Sequence, residues 1–163
     1  MNQASEAHLE LVWPGLASKI HLLYDTLRAE GITIIVTQGL RTVEEQNMLY
    51  RQGREYPGKI VTNARGGYSW HCFGLAVDCA PLNPDNSIDW NAQHPQWKRM
   101  EEAGVALGLT SGANWLRLKD APHFQLTGQW PVGAPTDEVR QLYAQGGLQA
   151  VWRALEQQAG GTQ

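Results

Sequence analysis

The sequence predicts an α+β fold with a small, mostly antiparallel sheet packed with helices. Helical and strand-like segments are mixed along the 163 residues without the regular β-α-β alternation of parallel sheets. The strand-like segments are short, and the clearest is the β-branched run at residues 32–37. With 42% apolar residues the chain can bury one core, but it is too short for two ordinary domains. We therefore expect a single domain over residues 1–163.

In the first half, apolar side chains at helical spacing over residues 16–27 predict a helix that begins near Pro14. Gly31 ends this helix, and the predicted strand at 32–37 follows. Thr42 and Glu45 form a capping box that opens a second helix, which runs to Gly53. Residues 54–70 are rich in glycine and polar groups, which predicts a loop.

In the second half, residues 74–80 predict a strand with Ala76 and Asp78 on one face. A helix is expected from Pro95 to near Gly108, and a short strand over residues 122–126. A C-terminal helical tail follows at 136–157, capped by Thr136 and interrupted at residues 146–147.

Charge and hydropathy exclude several classes of function. The net charge of −3 disfavours nucleic acid or an anionic membrane as a partner. No run approaches the roughly 20 apolar residues of a membrane-spanning helix, so membrane insertion is not expected. The N-terminus lacks the basic start and apolar run of a signal peptide, so we expect synthesis in the cytoplasm. We also expect a monomer.

Two segments carry the side chains of a possible metal site. His71 and Asp78 lie seven positions apart around Gly74, and Asp120 precedes His123 by three. Two imidazoles and one carboxylate are a known ligand set for Zn²⁺, with a position left for water. The second carboxylate would act as a general base on that water.

The spacing alone leaves alternatives open. A hydrogen-bonded core histidine beside a turn aspartate is about as plausible as a ligand pair. Cys72 and Cys79 each follow a proposed ligand, and thiolate also binds zinc. On a strand, however, Cys79 faces away from Asp78, and cytosolic synthesis favours free, buried thiols.

Three motifs in order over residues 38–125 resemble the M15 family of zinc peptidases, the group of D-alanyl-D-alanine carboxypeptidases and L-alanyl-D-glutamate peptidases. The first is S-x-H-x-x-G-x-A-x-D, present here from Ser69 to Asp78. The second is the acidic residue before a histidine, Asp120 and His123. The third is R-[ST]-x-x-x-Q, present from Arg41 to Gln46.

The resemblance implies a fold like that of the hedgehog and D,D-peptidase domains and a role for each matched residue. His71, Asp78 and His123 would bind Zn²⁺. Asp120 would move the proton of the attacking water to the leaving amine, and Arg41 would stabilise the oxyanion or orient the substrate. Simpler interpretations are an ion pair of Arg41 with Glu44 or Glu45 on the helix surface, and a turn role for Asp120.

Four further residues are candidates for substrate binding: Ser69, Gln46, Trp70 and Trp115. Ser69 could instead cap a turn, and core packing is the more common role of any single tryptophan. The chain departs from the W-G-G-D stretch of many relatives, since Asn114 stands where they carry the carboxylate.

By this resemblance we expect hydrolysis of the peptidoglycan stem peptide at the L-Ala-D-Glu bond. The motif pattern is closest to compact phage endolysins, which are made in the host cytoplasm and act on the cell wall after release. The alternatives are a D,D-carboxypeptidase or D-Ala-D-Ala dipeptidase of the same family, and a non-catalytic zinc-binding recognition module.

Overall fold

A computed structural model of the protein describes residues 1–116 and 119–160 and confirms the α+β class. The elements are α1 (Gln3–Leu9), α2 (Pro14–Ala29), β1 (Ile34–Gln38), α3 (Val43–Arg51), β2 (Ala76–Pro81), α4 (Pro95–Ala106), β3 (Thr110–Ser111), β4 (His123–Gln125) and α5 (Asp137–Gly160), with 3₁₀ helices at Trp70–Phe73 and Gly112–Asn114. The chain forms two compact units. We call residues 1–39 with 76–126 the sheet unit, and residues 40–75 with those from 127 onward the helical unit. One domain over residues 1–163 stays a prediction.

The sheet unit is built on four strands in the order β1-β2-β4-β3, and every neighbouring pair is antiparallel. Helix α2 contributes the predicted apolar stripe, because Leu16, Ile20, Leu23 and Leu27 are all fully buried. They pack in a core with residues of β1, β2, β4 and α4. Burial of each such side chain stabilises the fold by about 1.5–3 kcal/mol.

Helix α1 is absent from the sequence-based expectation, since seven residues are too few for a clear apolar period. Two polar groups hold it. The Asn2 side chain caps α1 by accepting a hydrogen bond from Ser5 N at 2.8 Å. The buried Ser5 Oγ in turn accepts from Val36 N of β1 at 2.9 Å, which fixes α1 against the sheet.

The helical unit confirms the capping box: Thr42 Oγ1 accepts from Glu45 N at 3.1 Å, and Glu45 accepts from Thr42 N at 2.8 Å. The predicted break in α5 is also present, with Gly146 and Gly147 in non-helical conformations.

The 3₁₀ helix at Trp70–Phe73 replaces the end of the predicted loop, because its aromatic side chains find partners distant in sequence. Trp70 stacks on Trp130 with ring centroids 6.1 Å apart. Phe73 meets Tyr143 edge-on at 5.4 Å.

Both cysteines, Cys72 and Cys79, are free and buried, in line with the sequence-based expectation. Burial raises the pKa of both thiols, so they are poor nucleophiles. Throughout the described ranges, no helix has both the length and the apolar character needed to cross a bilayer.

The turn at Gly74 yields a testable prediction. Gly74 follows the 3₁₀ helix in the left-handed conformation (φ 65°), which costs an L side chain about 1–2 kcal/mol. We expect Gly74→Ala to lower the free energy of unfolding by that amount, measured by urea denaturation of the metal-free protein.

The matched control is Gly133→Ala. No atom lies within 4 Å of a Cβ added there, and its φ is not left-handed, so we expect a change within about 0.5 kcal/mol. Equal stability of Gly74→Ala and the wild type would contradict the interpretation of this turn.

Candidate metal centre

Strand pairing places Asp78 directly beside His123. In the antiparallel pair β2–β4, Asp78 is the register partner of His123, and Ala76 is the partner of Gln125. Directly opposed residues project from the same face of a sheet with Cβ atoms about 4.5–5.5 Å apart. As a result, the Asp78 Oδ1 and His123 Nδ1 atoms approach to 3.5 Å. Both side chains are largely buried, with 19% and 6% of their surfaces exposed.

His71 lies in the 3₁₀ helix before β2. Its carbonyl oxygen accepts hydrogen bonds from Gly74 N at 3.2 Å and from Arg41 N at 3.1 Å. The side chain is 3% exposed. Two hydrogen bonds to one carbonyl hold the backbone of this ligand on both sides, which explains why the first motif needs a glycine three residues after the histidine.

His71, Asp78 and His123 each offer a ligand atom, and these atoms lie within 4.8 Å of one another. In the described part of the chain this is the group of His, Cys, Asp and Glu side chains that could hold a metal ion, and it contains no cysteine. Two imidazole nitrogens and one carboxylate oxygen match the preference of Zn²⁺, whereas Mg²⁺ and Ca²⁺ prefer oxygen ligands throughout. The donor set therefore fits zinc.

Gln125 determines which nitrogen of His123 is available to a metal. His123 Nε2 lies 2.9 Å from Gln125 Oε1, and both side chains are buried. Because an amide oxygen only accepts hydrogen bonds, Nε2 carries the proton and the Nδ1 lone pair is left for the metal. Nδ1 is also the atom that faces Asp78. The small Ala76 opposite Gln125 leaves space for the amide on this face.

The local charges raise the pKa of His123. Burial acts to lower this pKa, but the hydrogen bond and the negative charge of Asp78 outweigh it, with smaller contributions from Gln125 and Asp120. The same negative charges favour a divalent cation in place of the proton.

Asp120 is held next to His123 by a turn. His123 N donates to Asp120 O at 3.1 Å, and Asp120 N donates to Gly112 O at 3.0 Å. A Cβ at Gly112 would lie 2.6 Å from Asp120 O and 3.0 Å from His123 Cβ, so only glycine permits this close approach. Trp115 lies against the His123 ring with centroids 4.9 Å apart.

Arg41 and Gln46 form a pair in the helical unit. Arg41 Nη1 donates to Gln46 Oε1 at 2.7 Å. Gln46 is completely buried, and its Nε2 donates to Thr62 Oγ1 and Ala64 O. The substrate-binding role of Gln46 stays a prediction; its observed contacts are with the protein itself.

The remaining substrate candidates differ in exposure. Ser69 is half-buried and precedes the 3₁₀ helix without a side-chain capping bond. Trp70 is 3% exposed, packs on Phe73 and Trp130, and donates through Nε1 to Gly133 O. These contacts are those of a core residue, and substrate contact by Ser69, Trp70 or Trp115 stays a prediction.

Gln125 is the site residue that sequence reasoning missed. The available signal was its position two residues after His123 in a predicted strand, which places both side chains on one face.

The comparisons with known proteins agree with the geometry. A family profile described as D-alanyl-D-alanine carboxypeptidase, one of the M15 peptidases, matches residues 62–126. The peptidoglycan L-alanyl-D-glutamate endopeptidase CwlK of Bacillus subtilis (strain 168) is 40% identical over 113 residues, or 63% of this chain and 68% of CwlK. This chain belongs to the M15 family.

Solved structures of M15 relatives share the fold. The L-Ala D-Glu endopeptidase ChiX of Serratia marcescens aligns with a TM-score of 0.60 and 28% identity, over 78% of this chain and 89% of ChiX. The D,D-pentapeptidase VanY of a VanB-type resistance cassette, a complex with Zn(II), aligns with a TM-score of 0.51 and 21% identity, over 83% of this chain and 80% of VanY. Family membership confirms the resemblance drawn from the three motifs.

Loss of the Gln125 acceptor should weaken metal binding. Gln125→Met keeps the length of the side chain but cannot accept from His123 Nε2, so the ring loses its fixed tautomer. We expect zinc affinity to fall about 10- to 100-fold, measured by competition with a chelator. Gln93→Met, at an exposed position before α4, is the control and should bind zinc like the wild type. Unchanged affinity in Gln125→Met would disprove the role of the amide.

Zinc affinity should also depend on pH with a definite sign. Zinc binds the neutral imidazole, so a proton on His123 competes with the ion below the pKa of this group. Because that pKa is raised above 6.5, the loss of affinity should begin above pH 6.5 as the pH falls. Below this point we expect about a tenfold loss for each pH unit and each proton displaced. Titration calorimetry from pH 8 to pH 5.5 measures it, and constant affinity down to pH 6 would contradict the assignment.

Proposed function

We propose that the protein is a zinc-dependent peptidase that hydrolyses the stem peptide of peptidoglycan, with the bond between L-alanine and D-glutamate as its target. The observation that carries the proposal is the convergence of His71, Asp78 and His123, with Asp120 held beside His123. The names of CwlK and ChiX support this choice of bond, and both relatives share more than a quarter of their aligned residues with this chain.

The reaction is amide hydrolysis without a covalent enzyme intermediate. When bound, zinc supplies a Lewis acid that polarises the scissile carbonyl and makes water acidic enough to attack it near neutral pH. Asp120 accepts a proton from the attacking water and later donates it to the leaving amine as the C–N bond breaks. The turn at Asp120–His123 keeps this carboxylate beside a metal ligand throughout.

Arg41 is proposed to stabilise the negative charge that develops on the carbonyl oxygen. Its backbone N–H donates to the carbonyl of the ligand His71, so the residue belongs to the same neighbourhood. A guanidinium fixed before the reaction begins stabilises the transition state more than the substrate, which is the condition for a gain in rate.

A D,D-carboxypeptidase or D-Ala-D-Ala dipeptidase is the second candidate, favoured by the description of the family profile. Mass spectrometry of muropeptides after digestion distinguishes the candidates. New L-alanine carboxyl and D-glutamate amino termini support the endopeptidase, whereas loss of terminal D-alanine supports the second candidate. A protein that holds one zinc ion and cuts no muropeptide would instead be a recognition module.

A role as a phage endolysin is the finer part of the proposal and depends on the motif pattern of compact endolysins. Co-expression of this chain with a membrane-permeabilising protein in a bacterial host tests it. We expect lysis only when both proteins are present and His123 is intact.

The two site carboxyl and imidazole groups should separate in their effects. We expect Asp120→Asn to lower the rate of peptidoglycan hydrolysis about 10²- to 10⁴-fold while zinc remains bound, because only the proton transfer is lost. His123→Ala should lose both activity and bound zinc. Turbidity of purified cell walls and metal analysis measure the two effects. Wall clearing by His123→Ala at the wild-type rate would sink the metal assignment.

A further inference from the structure

Helix α3 carries an unusual buried side chain. Most of its residues are exposed or half-buried, and its buried residue is Gln46, with no exposed surface. Burial of an amide costs free energy unless its polar atoms are hydrogen-bonded. An apolar residue would fill this position without that cost, so the amide needs an explanation.

Every polar end of the Gln46 amide has a partner within the helical unit. The Oε1 atom accepts from Arg41 Nη1 at 2.7 Å. The Nε2 atom donates to Ala64 O at 2.8 Å and to Thr62 Oγ1 at 3.4 Å. Both donor protons are engaged and the side chain is sealed from solvent, so a substrate would have to displace protein groups to reach it.

The two ends of the amide hold different parts of the unit. One end holds the guanidinium of Arg41, a side chain with several rotatable bonds. The other end is anchored to the backbone near residue 64, where Thr62 Oγ1 also accepts from Ala64 N at 3.1 Å. The guanidinium is therefore fixed through Gln46 to backbone rather than to another mobile side chain.

We propose that Gln46 is a positioning residue that holds the Arg41 guanidinium in its productive orientation before the substrate binds. The inference rests on the proposed function, in which Arg41 stabilises the transition state. Gln46 touches neither substrate nor metal in this arrangement, and it acts through Arg41. The glutamine of the R-[ST]-x-x-x-Q segment thereby acquires a physical role: one turn into α3, it reaches back to the arginine that precedes the helix.

The first test is kinetic. Gln46→Met removes the hydrogen bonds at similar volume, and we expect kcat to fall about 10- to 100-fold with KM changed less than about threefold. Zinc affinity should equal that of the wild type. The matched control is Gln52→Met at the end of α3, since Gln52 Nε2 braces Lys59 O of the same exposed segment without contacting Arg41. Its kcat should stay within about twofold of the wild type.

A double-mutant cycle with Arg41→Lys separates positioning from a general structural effect. If Gln46 acts through Arg41, Gln46→Met should change kcat less than about twofold in the Arg41→Lys background. Equal and additive losses in both backgrounds would overturn the proposal, because the amide would then serve the fold alone.

The third readout needs neither zinc nor activity. In ¹⁵N NMR of the metal-free wild type, the Arg41 guanidinium should show separate Nη signals and slow rotation, identified by their loss in Arg41→Lys. Averaged Nη signals would refute the proposal even if Gln46→Met does not fold. Failure of the proposed function has a different signature, since the zinc-loaded wild type would then cut no muropeptide while the Arg41 signals still report the restraint.

Discussion

The antiparallel register of β2 on β4 is the constraint on which the metal centre depends. It sets Asp78 opposite His123 and Ala76 opposite Gln125 on one face of the sheet. A shift of one residue would turn these side chains to the other face and separate the ligands from one another. The core residues that flank them, such as Val77 and Phe124, are fully buried, so the apolar pattern of both strands enforces the register.

The site combines rigid backbone with a graded set of polar contacts. Asp78 and His123 are carried by paired strands, and His71 by a 3₁₀ helix whose carbonyl is hydrogen-bonded on both sides. Gln125 and Gln46 play parallel parts, since each is a buried amide that orients a functional side chain, an imidazole in one case and a guanidinium in the other. Preorganised groups of this kind need little rearrangement during the reaction, which is how fixed dipoles contribute to catalysis.

Much of this fold could be predicted from local signals. The apolar stripe of α2, the capping box of α3 and the interruption of α5 at residues 146–147 depend on near neighbours in the chain, and all are present. Helix α1 and the 3₁₀ helix at Trp70–Phe73 escaped prediction because their stabilising partners lie far away in sequence. Ser5 bonds to Val36, and Trp70 stacks on Trp130.

The sequence by itself determined the types of donor and their family, since the spacing from Ser69 to Asp78 and from Asp120 to His123 is a property of the chain. Only the tertiary structure decided which nitrogen of His123 is free, that Gln125 holds the other, and that Gln46 is sealed against Arg41. Side-chain direction, burial and hydrogen-bond pairing arise when segments distant in sequence meet. No local pattern of residue types records which polar atoms will then be opposite one another.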